Sequence, residues 1–353
     1  MVKAVSVDEL QPGMVLARTV TNDDFVIVLS ENTLLTLKNI ERLKKLEVPA
    51  VFIKDEFDLS KNFQQAAAVV KKDSAFTHDF EKVSKLANQV FDELKDGVKA
   101  RETTDKLAAQ ILPMADNPSS INYLFALAHM SASLALHSER VAIFSGIIAK
   151  WMRYKWDDIR VIVKAAFLHD VGKHGFDEAL IAKRPDTMTE DELHTYKTHC
   201  VKGYNLLKNL GFDEPIPTIA RFHHEQMNGG GFPKGLSGEK IHPFARVVAV
   251  ADAYDNLTSE HEGVVKKTPF DAIYYLIGEV YAIFDPAVCV PLLTRIKDSL
   301  IGSTVTLSDN RKGRVVFYPK DFSAMPVIVT DDGTEINLNK DKNLSIVSYV
   351  ADE

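Results

Sequence analysis

Apolar residues recur through the middle of the chain at helical spacing. Val141, Phe144 and Ile148 follow His137 at offsets of four, seven and eleven, which draws one buried stripe on a helix running to about Met152. Ile162, Ala165 and Ala166 form a second stripe that closes at His169, and Ala245 and Val248 share a face with Asp252. Upstream, Phe80, Val83, Leu86 and Val90 mark a further stripe in a helical stretch near residues 60–116. The period shortens at both ends of the chain. Met14–Arg18 and Phe25–Leu29 read as strands across a turn at Asn22-Asp23-Asp24, a helix from about Thr36 to Glu47 carries Leu37, Ile40, Leu43 and Leu46, and Ala50–Ile53 is a third strand. After Ser299, the runs Thr304–Leu307, Arg314–Tyr318 and Val327–Val329 are separated by turns such as Asp331-Asp332-Gly333, and they predict a β-rich tail expected to pair with the N-terminal strands.

These patterns predict a predominantly α protein of several parts. Residues 1–58 form a small α+β module, 59–119 a helical linker region, 120–298 a helical domain and 299–353 a β-rich segment. A length of 353 residues exceeds what one core usually organises.

The informative residues are polar ones on the apolar faces. A histidine or aspartate that faces a core needs a hydrogen-bond partner or an ion. Singly, each can simply bond a backbone carbonyl. Together His137, His169-Asp170, His199, the pair His223-His224 and Asp252 would bury several costly groups without evident partners, and they point instead to a metal-dependent hydrolase. Imidazole and carboxylate without thiolate suit iron, manganese, zinc or nickel rather than a cysteine-based structural zinc. These ligands exceed the needs of one ion. A carboxylate beside a ligating imidazole, as Asp170 is, can bridge two ions about 4 Å apart, an arrangement suited to attack on a phosphodiester.

His137-Ser138-Glu139-Arg140-Val141, His169-Asp170-Val171-Gly172-Lys173, His199 with Gly203, His223-His224-Glu225 and Gly231-Phe232-Pro233 together resemble the HD-GYP family of bacterial cyclic-dinucleotide phosphodiesterases, over roughly residues 120–300. The resemblance implies a helical HD-domain bundle and assigns His137, His169, Asp170, His199, His223, His224 and Asp252 as metal ligands. It places Lys173 on the scissile phosphate, with a plain surface lysine after a glycine turn as the alternative. The substrate implied is a cyclic dinucleotide, either cyclic di-GMP or 3′,3′-cyclic GMP-AMP. Glu225 either supports an imidazole from behind or is an exposed residue at a helix end. The glycine-rich loop Gln226–Gly238 is expected to border the cleft, with Gly231, Phe232 and Pro233 as substrate contacts. The opening Val5–Met14 segment resembles the region that often precedes such domains, and its role as sensor, dimerisation element or cap stays open.

Three departures from the family pattern bear on activity. Phe232 stands where the family carries tyrosine. Ser259-Glu260-His261-Glu262-Gly263 replaces an Arg-Pro-Tyr-like stretch, with Lys266 and Lys267 as nearby substitutes for the lost cation. Ser133 occupies the position of a glutamate found in three-metal relatives, so two ions are expected, iron or manganese foremost. His129, His174, His194 and His242 have no matching place and read as ordinary histidines.

Composition narrows the partners. A net charge of −7 argues against a nucleic-acid polymer, whereas a dinucleotide needs only a local cationic pocket. No apolar run reaches about 18 residues, so neither a membrane span nor a secretory leader is expected, and the expected location is the cytoplasm. The two cysteines, Cys200 and Cys289, are too few for a disulfide framework, and Cys200 beside His199 reads as a small buried side chain. A phosphodiesterase is the leading reading. A cyclic-dinucleotide receptor or scaffold that docks a diguanylate-cyclase-type protein is the second, and a one-metal mononucleotide phosphohydrolase the third; a homodimer is compatible with all three.

Overall fold

The computed structural model describes residues 2–10, 16–21, 27–29, 33, 35, 37–46, 48–54, 74–116, 133–259, 267–319 and 325–350. They fall into two compact units, Met1–Lys72 and Asp73–Glu353.

The first unit is a small α+β module. Strand β1 (Val2–Ser6) pairs antiparallel with β4 (Ala50–Lys54), and β2 (Val20–Thr21) with β3 (Ile27–Leu29). Helix α1 (Leu37–Lys45) turns Ile40 and Leu43 into a core shared with Val5, Leu16, Leu35 and Val51. The strand expected over Met14–Arg18 is not formed by its described residues. Leu16 is fully buried and its N–H donates to the Thr33 carbonyl at 3.0 Å, so the chain passes through the core there and the ladder starts at Val20. The turn at Asn22-Asp23-Asp24 lies outside the described residues. The partner of β4 is β1, a segment whose alternation is too short to stand out in sequence.

The second unit is predominantly α. Its helices are α2 (Ser74–Asp92), α3 (Gly97–Asp116), α4 (Leu134–Trp151), α5 (Trp156–Leu168), the short α6 (Glu178–Ile181), α7 (Glu190–Lys197), α8 (His199–Asn209), α9 (Ile216–Phe222), α10 (Pro243–Thr258), α11 (Pro269–Glu279) and α12 (Pro286–Leu300). Helix α4 is central. It is apolar almost all round, burying Val141, Ile143, Phe144, Ile147 and Ile148, as expected of a helix with neighbours on every side. Each such side chain contributes about 1.5–3 kcal/mol of burial. Phe144 meets Tyr254 of α10 edge to face, with ring centroids 5.1 Å apart. Val83, Ala87 and Val90 of α2 and Leu107, Ala108 and Ile111 of α3 belong to the same buried cluster.

Helix starts are set locally. The Ser133 side chain accepts the Leu136 N–H at 3.1 Å and caps α4, so this serine is occupied as a helix cap. Pro243, Pro269 and Pro286 each stand at the first position of their helices, behind His242, Thr268 and Asp285 as caps.

The C-terminal strands β5 (Thr304–Leu307), β6 (Lys312–Phe317), β7 (Val327–Thr330), β8 (Glu335–Asn337) and β9 (Ile346–Val350) make an antiparallel sheet in the order β8-β7-β6-β5-β9. Among the described residues these tail strands pair with one another, β9 lying on β5 with Val305 opposite Tyr349. Alternation supplies the apolar face, with Val305, Leu307, Val315, Ile328 and Ile336 buried. Phe270 of α11 packs on Tyr318 and Tyr349, so the sheet shares the core of the helices.

Candidate metal centre

Five separate stretches deliver imidazoles and carboxylates to one place. His137 lies in the first turn of α4, His169 caps the end of α5 and Asp170 follows it. Lys173 ends a single 3-10 turn, Val171–Lys173. His199 opens α8, His223 caps the end of α9 with His224 next, and Asp252 projects from the middle of α10. Glycine sets one of these approaches. A Cβ at Gly172 would lie 2.0 Å from the His199 carbonyl oxygen and 2.6 Å from the Gly203 nitrogen, so the turn carrying Asp170 seats against the start of α8 only without a side chain.

Backbone carbonyls fix the imidazole tautomers. His169 Nδ1–H donates to the Ala166 carbonyl at 2.6 Å, His223 Nδ1–H to Ala220 at 2.9 Å and His199 Nδ1–H to Tyr196. His137 Nδ1–H donates to Asp255 Oδ2 at 2.8 Å. Nε2 of His169, His199 and His223 therefore carries a lone pair and aims it inward, and His137 Nε2 faces the same space. The Nε2 atoms of His137 and His169 are 3.3 Å apart, and those of His199 and His223 are 3.4 Å apart. The facing lone pairs of His199 and His223 cannot hydrogen-bond each other. Two imidazole nitrogens on one tetrahedral ion, at bond lengths near 2.05 Å, would stand about 3.3 Å apart.

Asp170 links the two pairs. Its Oδ2 lies 3.5 Å from Nε2 of both His137 and His169, while Oδ1 lies 3.3 Å from His199 Nε2 and 3.7 Å from His223 Nε2. Oδ1 is buried and has no hydrogen-bond donor. Asp252 Oδ1 completes the first group, 3.1 Å from His137 Nε2 and 3.5 Å from His169 Nε2, and is held by the Asn256 amide at 2.6 Å. His224 stands beside the second group, with the Tyr196 hydroxyl 3.4 Å from its Nε2. Acceptors facing acceptors, with an orphaned carboxylate oxygen between them, fit divalent cations.

Electrostatics agree with that donor set. Burial holds His199 and His223 well below the ordinary histidine range and pushes His224 down to about 4, so all three are neutral near pH 7. Burial acts the same way on His137, but Asp170, Asp252 and Asp255 outweigh it and raise that imidazole, a measure of how strongly the pocket attracts positive charge. Burial would raise the carboxyl groups of Asp170 and Asp252, yet Lys173 and the imidazoles around it keep Asp170 well below its usual value, and His137 and His169 do the same for Asp252. The Lys173 ammonium, 8% exposed, pairs with Asp170 Oδ2 and lies 3.3 Å from the Tyr196 hydroxyl. A cleft lined by Ser133, His137, Arg140, Lys173, Asn256 and Ser259 opens onto this side.

The loop after the histidine pair is tied in place by Glu225. Its carboxylate accepts the backbone N–H groups of Lys234 and Leu236, each at 2.7 Å. It is 4% exposed rather than solvent-facing, and its described hydrogen bonds go to these loop amides. The Phe232 ring stacks on His224 at 4.7 Å and the Lys197 ammonium lies 5.4 Å from its centroid, so the tyrosine-to-phenylalanine departure keeps an aromatic wall. A Cβ at Gly231 would meet the His224 carbonyl oxygen at 2.4 Å, which requires glycine there. Lys266 and the acidic Glu260-His261-Glu262 stretch lie outside the described residues.

Sequence reasoning missed Arg140, Tyr196 and Asp255. Arg140 Nε and Nη2 donate to Asp255 at 2.6 and 3.0 Å, and the same Asp255 carboxylate orients His137. The signal was present as spacing: Arg140 is three residues past His137, Asp255 three past Asp252 and Tyr196 three before His199.

Residues 127–288 match the HD domain family. Among characterised proteins, the chain is 38% identical over 159 residues to the cyclic di-GMP phosphodiesterase response regulator RpfG of Xanthomonas campestris, covering 44% of this chain and 42% of that protein. It is 36% identical over 153 residues to a cyclic di-GMP phosphodiesterase of Thermotoga maritima, covering 41% of each. Similarity to the 3′3′-cGAMP-specific phosphodiesterase 3 of Vibrio cholerae is 35% over 127 residues, 35% of this chain and 27% of that protein. The chain thus matches less than half the length of these relatives. Bd1817, a HDG"Y"P protein from Bdellovibrio bacteriovorus, shares the fold over 84% of this chain and 100% of its own, with a TM-score of 0.54 at 20% identity.

Proposed function

The chain belongs to the HD-GYP family of HD-domain proteins, and on that premise we propose that it is a metal-dependent phosphodiesterase that opens a 3′,5′-cyclic dinucleotide, cyclic di-GMP or 3′,3′-cyclic GMP-AMP, to the linear form. The observation that carries the reading is Asp170, whose two oxygens address two separate imidazole pairs. His137, His169 and Asp252 with Asp170 Oδ2 would hold one ion; His199, His223 and His224 with Asp170 Oδ1 would hold the other. Iron and manganese lead for such a donor set, with nickel and zinc also compatible. When bound, two such ions supply Lewis acidity and a water acidified enough to attack phosphorus at neutral pH.

The chain's own side chains account for the rest. Lys173 is a buried cation fixed by Asp170 and Tyr196, so it can meet a non-bridging phosphate oxygen without reorganising. Asp255 fixes the His137 ring, and Gly172 lets Asp170 reach both groups. Phe232, backed by His224 and flanked by Gly231 and Pro233, offers a flat apolar surface for a base. Lys266 is proposed as a further contact to substrate from the segment after α10. The relatives' names include both cyclic di-GMP and 3′3′-cGAMP, and both are proposed as substrates.

Chromatography of reaction products tests this. Metal-reconstituted protein should convert both cyclic dinucleotides to linear products, and Asp170→Ala should abolish turnover. Saturable binding of either dinucleotide by the metal-loaded wild type without product would replace the enzyme reading by that of a receptor.

A further inference from the structure

The second group of ligands contains a donor that the imidazole and carboxylate set leaves out. One ligand atom each from His199, Cys200, His223 and His224 lie within 4.8 Å of one another. Cys200 is fully buried, and its Sγ stands 3.4 Å from His199 Nε2. A nitrogen and a sulfur on one tetrahedral ion, at bond lengths of about 2.05 and 2.3 Å, would be separated by roughly 3.5 Å.

A simple S–H···N hydrogen bond also accounts for that distance taken alone. It leaves the rest of the arrangement without an explanation. The His199 Nε2 lone pair accepts one proton, whereas His223 Nε2 at 3.4 Å and the donorless Asp170 Oδ1 at 3.3 Å crowd the same nitrogen. A thiol proton placed between Sγ and His199 gives neither of those acceptors a donor. A cation shared by all of them does.

The geometry points to Cys200 as a thiolate ligand of the ion held by His199, His223, His224 and Asp170 Oδ1. This rests on the two-ion reading above and deepens it. On ion binding the S–H bond breaks, its proton passes to solvent and the sulfur–metal bond forms. The two ions then differ in character. The His137, His169 and Asp252 site has only nitrogen and oxygen donors, whereas a thiolate makes the other site softer and favours iron, cobalt or zinc over manganese.

Cobalt(II) substitution under reducing, oxygen-free conditions tests the assignment spectroscopically. Wild type should show visible d–d bands and, in addition, thiolate-to-cobalt charge-transfer absorption in the near ultraviolet. Cys200→Ser and Cys200→Ala should lose the charge-transfer band, while Cys289→Ala, which removes the other cysteine, should keep it. X-ray absorption on the wild-type cobalt protein gives the same answer without a variant, as a sulfur shell at about 2.3 Å. Bound cobalt with d–d bands but no charge transfer, no sulfur shell, or a band that survives Cys200→Ala would overturn the thiolate and leave the two-ion reading standing. A wild type that binds no cobalt would sink both.

Discussion

Replacing Asp255 by asparagine probes the support beneath the centre. Asp255 is 1% exposed, and its carboxylate accepts Arg140 Nε at 2.6 Å, Arg140 Nη2 at 3.0 Å, Ser259 Oγ at 3.2 Å and His137 Nδ1 at 2.8 Å. Burial would raise this carboxyl, but Arg140 and His137 dominate and hold it below its usual range, so it is ionised throughout neutral pH. Asparagine keeps the shape and turns two acceptors into one acceptor and one donor. The amide then opposes an N–H of Arg140 or of His137, and the buried guanidinium loses its counter-charge. Breaking a buried pair from one side costs about 3–5 kcal/mol, and the remaining carbonyl places Asp255→Asn near the lower end. Trp151 ends α4 and Trp156 begins α5, so tryptophan fluorescence during urea unfolding reports on this unit. With a slope of about 3 kcal/mol/M, a loss of about 3 kcal/mol shifts the midpoint down by roughly 1 M. Arg140→Met on top of Asp255→Asn removes the stranded cation, and the double variant should be more stable than the sum of the single effects by about 1 kcal/mol or more. A midpoint for Asp255→Asn within about 0.5 kcal/mol of wild type, or strict additivity in the double variant, would refute the reasoning.

Two other perturbations test the frame around the site. Glu225→Ala leaves the Lys234 and Leu236 amides without their acceptor, which should cost about 2–3 kcal/mol and speed hydrogen exchange at those two amides ahead of the helices; unchanged exchange would contradict the tether. His242 accepts the Phe244 N–H at 3.2 Å as the cap of α10, and burial lowers its pKa below 6.5. A histidine lowered on folding contributes stability that is present above its unfolded pKa of about 6.5 and is lost as pH falls through that value toward the folded one. Unfolding midpoints should therefore drop between pH 7 and pH 5 more in wild type than in His242→Asn, whose side chain caps without titrating; equal slopes would exclude the cap as their source.

Much of the helical unit was legible because burial and helical period are both local. Val141, Phe144 and Ile148 lie on the buried face that their offsets predicted, and so do Ala165, Ala166 and Val248. The N-terminal module was less so. A two-residue strand such as β2 has no period to detect, and Leu16 was read as strand because core burial and strand pairing favour the same residue type. The C-terminal strands were visible individually, but their neighbours were not, since alternation selects a face and leaves the choice of partner open.

The sequence by itself determined which residue types and spacings were available: five histidines and two aspartates on apolar faces, a glycine after the His169-Asp170 pair and an aromatic after the glycine run. Only the tertiary structure decided what each one does. Convergence of five segments makes Asp170 a link between two groups of imidazoles, turns Glu225 toward loop amides and brings the His199-Cys200 pair against His223 and His224. The reason is physical. Periodicity reports which way a side chain points from its own element, whereas coordination and hydrogen bonding depend on distances of a few ångströms between elements that are far apart along the chain.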